Sequence, residues 1–350
     1  MNNEGANLTL NVIASLATWL ENNGFPSDQL PQALIAPRPS QLWQAVSRTF
    51  CVTFMLGEHN WPEPAPARHW IHRRDAEVNA RFVEKLSGPL PRGARAPKIQ
   101  TRYVPFHRRM DGPAVEPDQF EKDQESAKKI LARARRQQRH TLILIGSQLV
   151  NYSVEHLVAW LCQCAPFTPP DGARAEAVKF YMLYRETQVD VPSCFGGRVH
   201  PGGDQSTAKP GIYYFENRTW KLIPCTGNQK QDAGVVITVF DRGTGSVKIV
   251  VFGHSGRSTE AMGQLLVQRP EDFWKSDETP RQASGRGGSK GRRTRKKQID
   301  PQVEDSAASR DGNRTARVHL YRMKFSDSVV KDPDQPPVPS EIKQVKMFEL

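Results

Sequence analysis

The feature that most constrains the fold of this chain is a short aliphatic run, Thr141 to Ile145, which ends in Gly146-Ser147. A run of this kind, bounded by a glycine, is typical of a strand buried on both faces of a sheet. A helix is expected soon after it, because Ser153 is a good N-cap and an apolar stripe follows. Strand, glycine turn and helix in this order predict an α/β fold.

A second junction of the same kind lies downstream. Val235 to Phe240 and Val247 to Phe252 flank the turn Asp241 to Gly245 and are predicted to pair antiparallel; the second strand then leads into a helix, Glu260 to Val267. Such junctions bind ligands in α/β sheets, because strand ends and helix N–H groups converge on one crevice. The candidate ligand-binding residues are Gly146, Ser147, Asn151, Gly253, His254, Ser255, Gly256, Arg257, Ser258 and Thr259.

Both junctions also admit a plainer interpretation, in which the glycine only permits a tight turn. GSQLVN lacks two glycines of the dinucleotide fingerprint and is not a Walker A loop. GHSGR fails as a nucleophile elbow because Arg257 stands where glycine is required, and the adjacent side chains of His254 and Ser255 diverge. No catalytic residue is assigned from the sequence, and no cofactor is expected.

The net charge of +12 is concentrated in one segment. Residues 281–297 hold eight Lys or Arg and no acid, so subtracting them leaves +4 for the rest of the chain. A Gly/Ser/Arg/Lys segment cannot form a core, and we predict a disordered basic insertion over 276–315 that contacts nucleic acid. The candidate contact residues are Arg286, Lys290, Arg292, Arg293, Arg295, Lys296 and Lys297.

Composition shifts along the chain predict its domain organisation. Helical periodicity predicts a small helical N-terminal domain over 1–86, and a Pro/Gly-rich stretch predicts a linker over 87–117. A Rossmann-like module with a mixed sheet is predicted for 118–275, and the β-rich residues 316–350 would complete it. A helix-turn-helix in the N-terminal domain is an alternative for which the turn signature is missing.

The cysteines indicate a reducing compartment, and the hydropathy pattern indicates that the chain does not span a membrane. Five cysteines are an odd and sparse set for 350 residues, and no apolar stretch is long enough to span a membrane, so we expect a cytoplasmic protein without a membrane partner. No metal site is predicted, because neither Cys162-x-Cys164 nor the pair His69 and His72 has the spacing of a zinc site. The cysteines are Cys51, Cys162, Cys164, Cys194 and Cys225.

Four segments carry a resemblance to known sequences: LILIGSQLVN, PSCFGG, PGIYYF and VVFGHSGRSTEA. Over residues 140–267 the chain resembles a group of uncharacterised bacterial proteins with a Rossmann-like module, some of which look like helix-turn-helix regulators. The resemblance implies that Gly146, Asn151 and the 253–259 loop correspond to glycine turns of that group. It brings no ligand or catalytic residue, and the N-terminal region departs from a clear helix-turn-helix.

Two functions fit these observations, and a scaffold with neither ligand nor turnover is a third alternative. The first is a ligand-sensing regulatory protein that binds a small polar or phosphorylated ligand at the junctions and contacts nucleic acid through the basic insertion. The second is an enzyme acting on a nucleotide or phosphorylated substrate, with His254, Ser255 and Arg257 in its site. In that case the glycine-rich loop Pro192 to Asp204, with its chemical residues Cys194 and His200, would act as a lid.

Overall fold

The computed structural model of the chain has the predicted mixed α/β class, with five α-helices and twelve strands among the described residues. All of them belong to one unit, Gln41–Leu350. The predicted basic insertion lies outside the described residues, except at 314–315, where a strand begins. The structure describes residues 41–61, 68–88, 96–107, 117–169, 177–184, 191–202, 208–226, 230–274, 314–327, 329 and 337–350.

The helices follow the apolar periodicity of the sequence, and none of the described ones is long and apolar enough to cross a membrane. They are α1 (Gln41–Ser47), α2 (Arg73–Ser87), α3 (Pro117–Arg135), α4 (Tyr152–Cys162) and α5 (Gly256–Gln268), with a 3-10 turn at Pro270–Phe273. The strands are β1 (Cys51–Trp61), β2 (Arg68–Trp70), β3 (Lys98–Phe106), β4 (His140–Ile145), β5 (Phe180–Leu183), β6 (Gly196–Gly197), β7 (Gly211–Glu216), β8 (Thr219–Pro224), β9 (Gln231–Asp241), β10 (Ser246–Gly253), β11 (Arg314–Lys324) and β12 (Glu341–Glu349).

Eight strands form one mixed sheet. Its order is β12-β11-β9-β10-β4-β1, and β2 and β3 both pair with β1. β3, β1, β4 and β10 are parallel, and counted along the chain they lie in the order 2-1-3-4. β9, β11 and β12 run antiparallel to their neighbours, and the predicted pairing of 235–240 with 247–252 is confirmed by the register of β9 with β10.

Helices cover both faces of this sheet. α1, α2 and α5 pack on one face, where Ile143 and Ile145 of β4 point, and α3 and α4 pack on the other, where Leu142 and Leu144 point. The central strands are therefore apolar on both faces, which explains why the run at Thr141 to Ile145 shows no polar alternation.

A smaller sheet, ordered β6-β5-β7-β8, extends the core on the α4 side. The predicted hairpin is confirmed, because β7 and β8 pair antiparallel around Asn217-Arg218. Both turn residues have positive φ, as a two-residue hairpin turn of type I′ requires.

The structure differs from the predicted helical N-terminal domain and linker. Residues 51–61, which fall inside the predicted domain 1–86, form β1 in the sheet, paired with β4; residues 98–106, inside the predicted linker 87–117, form β3. The apolar run Val52 to Leu56 is buried on both faces, by α1 and α2 on one side and by α3 and α4, more than 55 residues away, on the other, so local helical periodicity around it does not decide its structure. Residues 1–40 lie outside the described residues.

Candidate functional site

The two predicted strand-to-helix junctions lie side by side. β4 pairs in parallel with β10 through Thr141–Ile145 and Val247–Val251, so the carboxyl ends of both strands reach the same edge of the sheet. After β4 the chain turns into α4 on one face, whereas β1 and β10 are followed by α2 and α5 on the other. Such a divergence opens a crevice at the strand ends.

A cavity of about 250 Å³ occupies this crevice. Both junctions contribute to its wall, together with the start of α2 and one tyrosine after β5. We call it the junction cavity. It is lined by His72, Asp75, Gly146, Ser147, Leu149, Val150, Tyr184, Gly253, His254, Ser255, Gly256 and Thr259.

The first junction places Gly146 and Ser147 on the cavity but not Asn151. Gly146 has φ of +95°, and a side chain there would meet the Asp75 carboxyl at 2.7 Å, so glycine is required. Asn151 is fully buried: it caps α4 by accepting from the Ser153 N–H, and its amide donates to the carbonyls of Met55 at 2.9 Å and Ile145 at 3.0 Å. Asn151 therefore joins β1, β4 and α4, and does not line the cavity.

The second junction begins with Ser255, the N-cap of α5. Its hydroxyl donates to the Asp232 carboxylate at the start of β9 and accepts from the Ser258 N–H. Ser258 is buried, and its hydroxyl closes the capping box with the Ser255 backbone; the Thr259 hydroxyl donates to the Ser255 carbonyl. Ser258 and Arg257 do not line the cavity, whereas Gly253, His254, Ser255, Gly256 and Thr259 do.

His254 faces the cavity with a fixed orientation. Its Nε2 lies 3.0 Å from the Leu183 carbonyl oxygen, and its ring stacks on Tyr184 at 5.2 Å between centroids. A carbonyl only accepts, so Nε2 carries a proton and Nδ1 points elsewhere. Ser255 donates to Asp232 rather than to His254. The two adjacent residues therefore do not form a nucleophile and base pair.

The cavity contains one carboxyl that was not among the predicted ligand-binding residues. Asp75, in the first turn of α2, is 3% exposed and makes no hydrogen bond or ion pair with any described residue. Burial raises the pKa of this carboxyl from its ordinary value of 3.8 to about 7. A readable signal existed, since Asp75 lies on the same helical stripe as Val78, Phe82 and Leu86.

Glu260 of α5 holds α2 in the position that brings Asp75 to the cavity. Its buried carboxylate pairs with Arg74 and, at 3.2 Å, with Arg81. α2 and α5 approach closely at Gly263, where an added Cβ atom would lie 2.7 Å from the side chain of Val78. The position of Asp75 is thus fixed by contacts between segments almost 200 residues apart.

The predicted lid is only partly described, and its first half is anchored. The buried Glu155 of α4 accepts from the Ser193 hydroxyl at 2.6 Å and from the Cys194 N–H at 2.7 Å. His200 lines a separate cavity of about 340 Å³ beside β5 and β6, and Asp204 lies outside the described residues. Neither Cys194 nor His200 reaches the junction cavity.

The seven predicted nucleic-acid contacts, Arg286 to Lys297, lie outside the described residues. A cationic group stands where the chain re-enters the sheet, around the ring of Trp160. Arg135, Arg314 and Lys248 lie 3.8, 4.4 and 5.5 Å from the ring centroid. Burial and the neighbouring arginines lower the pKa of Lys248 to about 8, although Asp241 acts in the opposite direction.

Comparison with known proteins finds no match among protein-family models, curated proteins or solved structures. The resemblance of residues 140–267 to bacterial Rossmann-like proteins therefore stays a prediction. The chemistry of the junction cavity has to be argued from its own residues.

Proposed function

We propose that this protein is a ligand-sensing regulatory protein, which binds a small polar ligand with an anionic group, such as a phosphate, in the junction cavity. The observation that carries the proposal is the meeting, at one cavity, of helix N-termini and a carboxyl that has no partner among the described residues. His72 and Asp75 belong to the start of α2, Ser255 and Gly256 to the start of α5, and Leu149 and Val150 directly precede α4.

The helix N-termini favour an anion. Each carries a partial positive charge of roughly half a unit, and the N-terminus of α2 has no side-chain cap among the described residues. The N-termini of α2 and α5 at one cavity of about 250 Å³ attract a negatively charged group of phosphate size. Ser147, whose hydroxyl can donate a hydrogen bond, also lines the cavity.

Asp75 makes this binding dependent on pH. An ionised carboxylate repels an anion, but a protonated carboxyl donates a hydrogen bond to it. With a pKa of about 7, the Asp75 carboxyl is half protonated near neutral pH and takes up a proton when an anion binds. The affinity for an oxyanion should then fall as pH rises through 7, by up to about tenfold per pH unit.

Calorimetric titration with sulfate tests this, because sulfate resembles phosphate and keeps its charge between pH 6 and 9. The wild-type affinity should fall across that range, whereas Asp75→Asn, whose amide donates at every pH, should bind with little pH dependence. Asp118→Asn is the matched control, an exposed acid in the first turn of α3. Absence of binding at every pH, or an affinity that rises with pH, would contradict an anion site.

The second candidate function is an enzyme acting on a nucleotide or phosphorylated substrate. The observation that favours it is again Asp75, because a carboxyl with a pKa near 7 beside a cavity suits general acid–base catalysis. Incubation with nucleoside triphosphates and p-nitrophenyl phosphate separates the two functions. An enzyme would release phosphate and lose this activity in Asp75→Asn and His254→Ala, whereas a sensor would bind without turnover.

Contact with nucleic acid through the basic insertion is the second half of the proposal. It is supported by the run of cations in 281–297 and by the cationic group at Trp160, which adjoins the strand after the insertion. Binding of labelled duplex DNA and RNA should fall steeply with salt, and the slope should collapse when 281–297 is deleted. No binding at low salt would remove this part of the proposal and leave the junction cavity unaffected.

A further inference from the structure

Beside the junction cavity, three side chains with metal-binding atoms meet from separate segments: Cys225 after β8, Asp232 at the start of β9 and His254 after β10. One ligand atom from each lies within 4.8 Å of the other two. The backbone sets this arrangement. The Thr226 N–H donates to the Gln231 carbonyl, which places Cys225 opposite Asp232, and the His254 N–H donates to the Ala233 carbonyl.

The remaining contacts orient these atoms as the contacts of a metal site do. His254 donates from Nε2 to the Leu183 carbonyl, which leaves Nδ1 as its ligand atom. Asp232 accepts from the Ala233 N–H at 2.8 Å on one oxygen and from the Ser255 hydroxyl on the other. Each carboxylate oxygen has two lone pairs and accepts one of these hydrogen bonds, so both oxygens keep a lone pair for a cation.

The charge of the cluster also favours a cation. Asp232 is 1% exposed, and a buried carboxylate is costly unless an opposite charge is near it. Among the described residues, Asp232 forms no ion pair with a lysine or an arginine. The Cys225 thiol beside it is buried as well and gains no positive partner there.

We propose that Cys225, Asp232 and His254 form a binding site for a divalent transition-metal ion of the zinc type. Thiolate, imidazole and carboxylate together suit Zn²⁺, whereas Mg²⁺ and Ca²⁺ prefer oxygen ligands alone. Ligand atoms of a tetrahedral zinc site lie roughly 3.5 Å apart, so a pair at the 4.8 Å limit would close by about 1.3 Å on binding. Three protein ligands leave a fourth position for water or a ligand, and His254 lines both this site and the junction cavity.

Metal analysis of the full chain tests the proposal. The protein is purified without chelator or histidine tag, and equilibrium dialysis with Zn²⁺ should give one ion per chain. Co²⁺ in place of Zn²⁺ should show the intense absorption of tetrahedral cobalt and a thiolate charge-transfer band. Zinc binding should release protons, which a pH indicator measures.

Substitutions distinguish the residues that bind the metal ion directly from residues that only contact those ligands. Cys225→Ser should abolish the thiolate band, and Cys225→Ser and His254→Gln should each weaken Zn²⁺ binding by more than the 10- to 100-fold typical of a residue that only hydrogen-bonds a ligand. Ser255→Ala removes a hydrogen bond to Asp232, and its loss of Zn²⁺ affinity should lie in that 10- to 100-fold range. Cys51→Ser is the matched thiol control outside the cluster and should bind as the wild type does.

If a variant fails to fold, a measurement on the wild-type protein still tests the proposal. Zinc should raise the melting temperature of the metal-stripped wild type, and a chelator should reverse the rise. Wild-type protein that binds no more Zn²⁺ than Cys225→Ser, and whose melting temperature does not respond, would overturn the proposal. Sulfate titration in chelator tests the oxyanion proposal on its own, so the two can fail separately.

Discussion

The two strand-to-helix junctions share a sequence pattern but differ in what their polar groups do. At the first, the amide of Asn151 is fully used inside the protein, where it links α4 to the carbonyls of Met55 and Ile145. At the second, Ser255 caps α5 at the cavity wall and bonds to a side chain, Asp232, of another strand.

This difference separates a structural junction from a candidate binding junction. An apolar strand, a glycine and a hydroxyl or amide N-cap predict a ligand crevice equally well at both places. Only polar groups that the fold leaves facing the cavity can contact a ligand, and Asn151 is not among them. The first junction supplies Gly146, whose missing side chain leaves room for the carboxyl of Asp75.

The largest effect is expected at the first junction. Asn151→Ala leaves two buried carbonyls without donors and removes the cap of α4, which should cost about 3 to 4 kcal/mol of unfolding free energy in urea. Asn151→Asp keeps the cap acceptor but loses both donors, and should be nearly as harmful. A loss below about 1 kcal/mol for both variants would contradict the structural role of this amide.

The next effect concerns Asp75, between the junctions. Its pKa is higher in the folded state, about 7, than its ordinary 3.8, so the folded protein binds the proton more tightly. The penalty for burying its charge is absent below pH 3.8, grows as pH rises, and is complete above 7.

Asp75→Asn removes this penalty and so measures it. The wild type should lose on the order of 3 kcal/mol relative to the variant between pH 5 and pH 8, as measured by urea unfolding. Other titrating groups are common to both proteins and cancel in the difference. A difference that stays constant with pH would show that the carboxyl does not titrate in this range.

The smallest effect compares one serine from each junction. Ser255→Ala should cost about 1 to 2 kcal/mol, because it removes the cap of α5 and the donor to Asp232. Ser153, at the start of α4, is buried and its hydroxyl has no partner among the described residues, so Ser153→Ala should be neutral or slightly stabilising. Equal losses in thermal unfolding would remove the distinction between the junctions.

Much of the fold was predictable because its strands are marked locally. The run at Thr141 to Ile145, the hairpin of β7 with β8 and the pairing of β9 with β10 all follow from apolar runs bounded by turn residues. β1 was predicted to belong to a helical domain, because a strand buried on both faces carries no polar alternation. β3 was predicted to belong to a linker, because the residues around it are rich in proline.

The candidate site was predictable only in part, because only some of its residues are marked by a local sequence pattern. The glycines of both junctions are visible as turns in the sequence, but the predicted cap Ser153 is wrong, because Asn151 caps α4. Asp75 was visible only as an acid on an apolar helical stripe, and Cys225, Asp232 and His254 have no spacing that marks a metal site.

The sequence by itself determined the local elements of this protein: the buried strand before Gly146, the helix that follows β10 and the charge of residues 281–297. The tertiary structure alone decided that the two junctions share a cavity, that Asn151 faces inward and that Asp75 faces the cavity. Caps, turns and periodicity depend on residues a few positions apart. Pairing of β4 with β10 and packing of α2 on α5 join segments about 100 to 200 residues apart, and burial sets the pKa of Asp75 only after those contacts form.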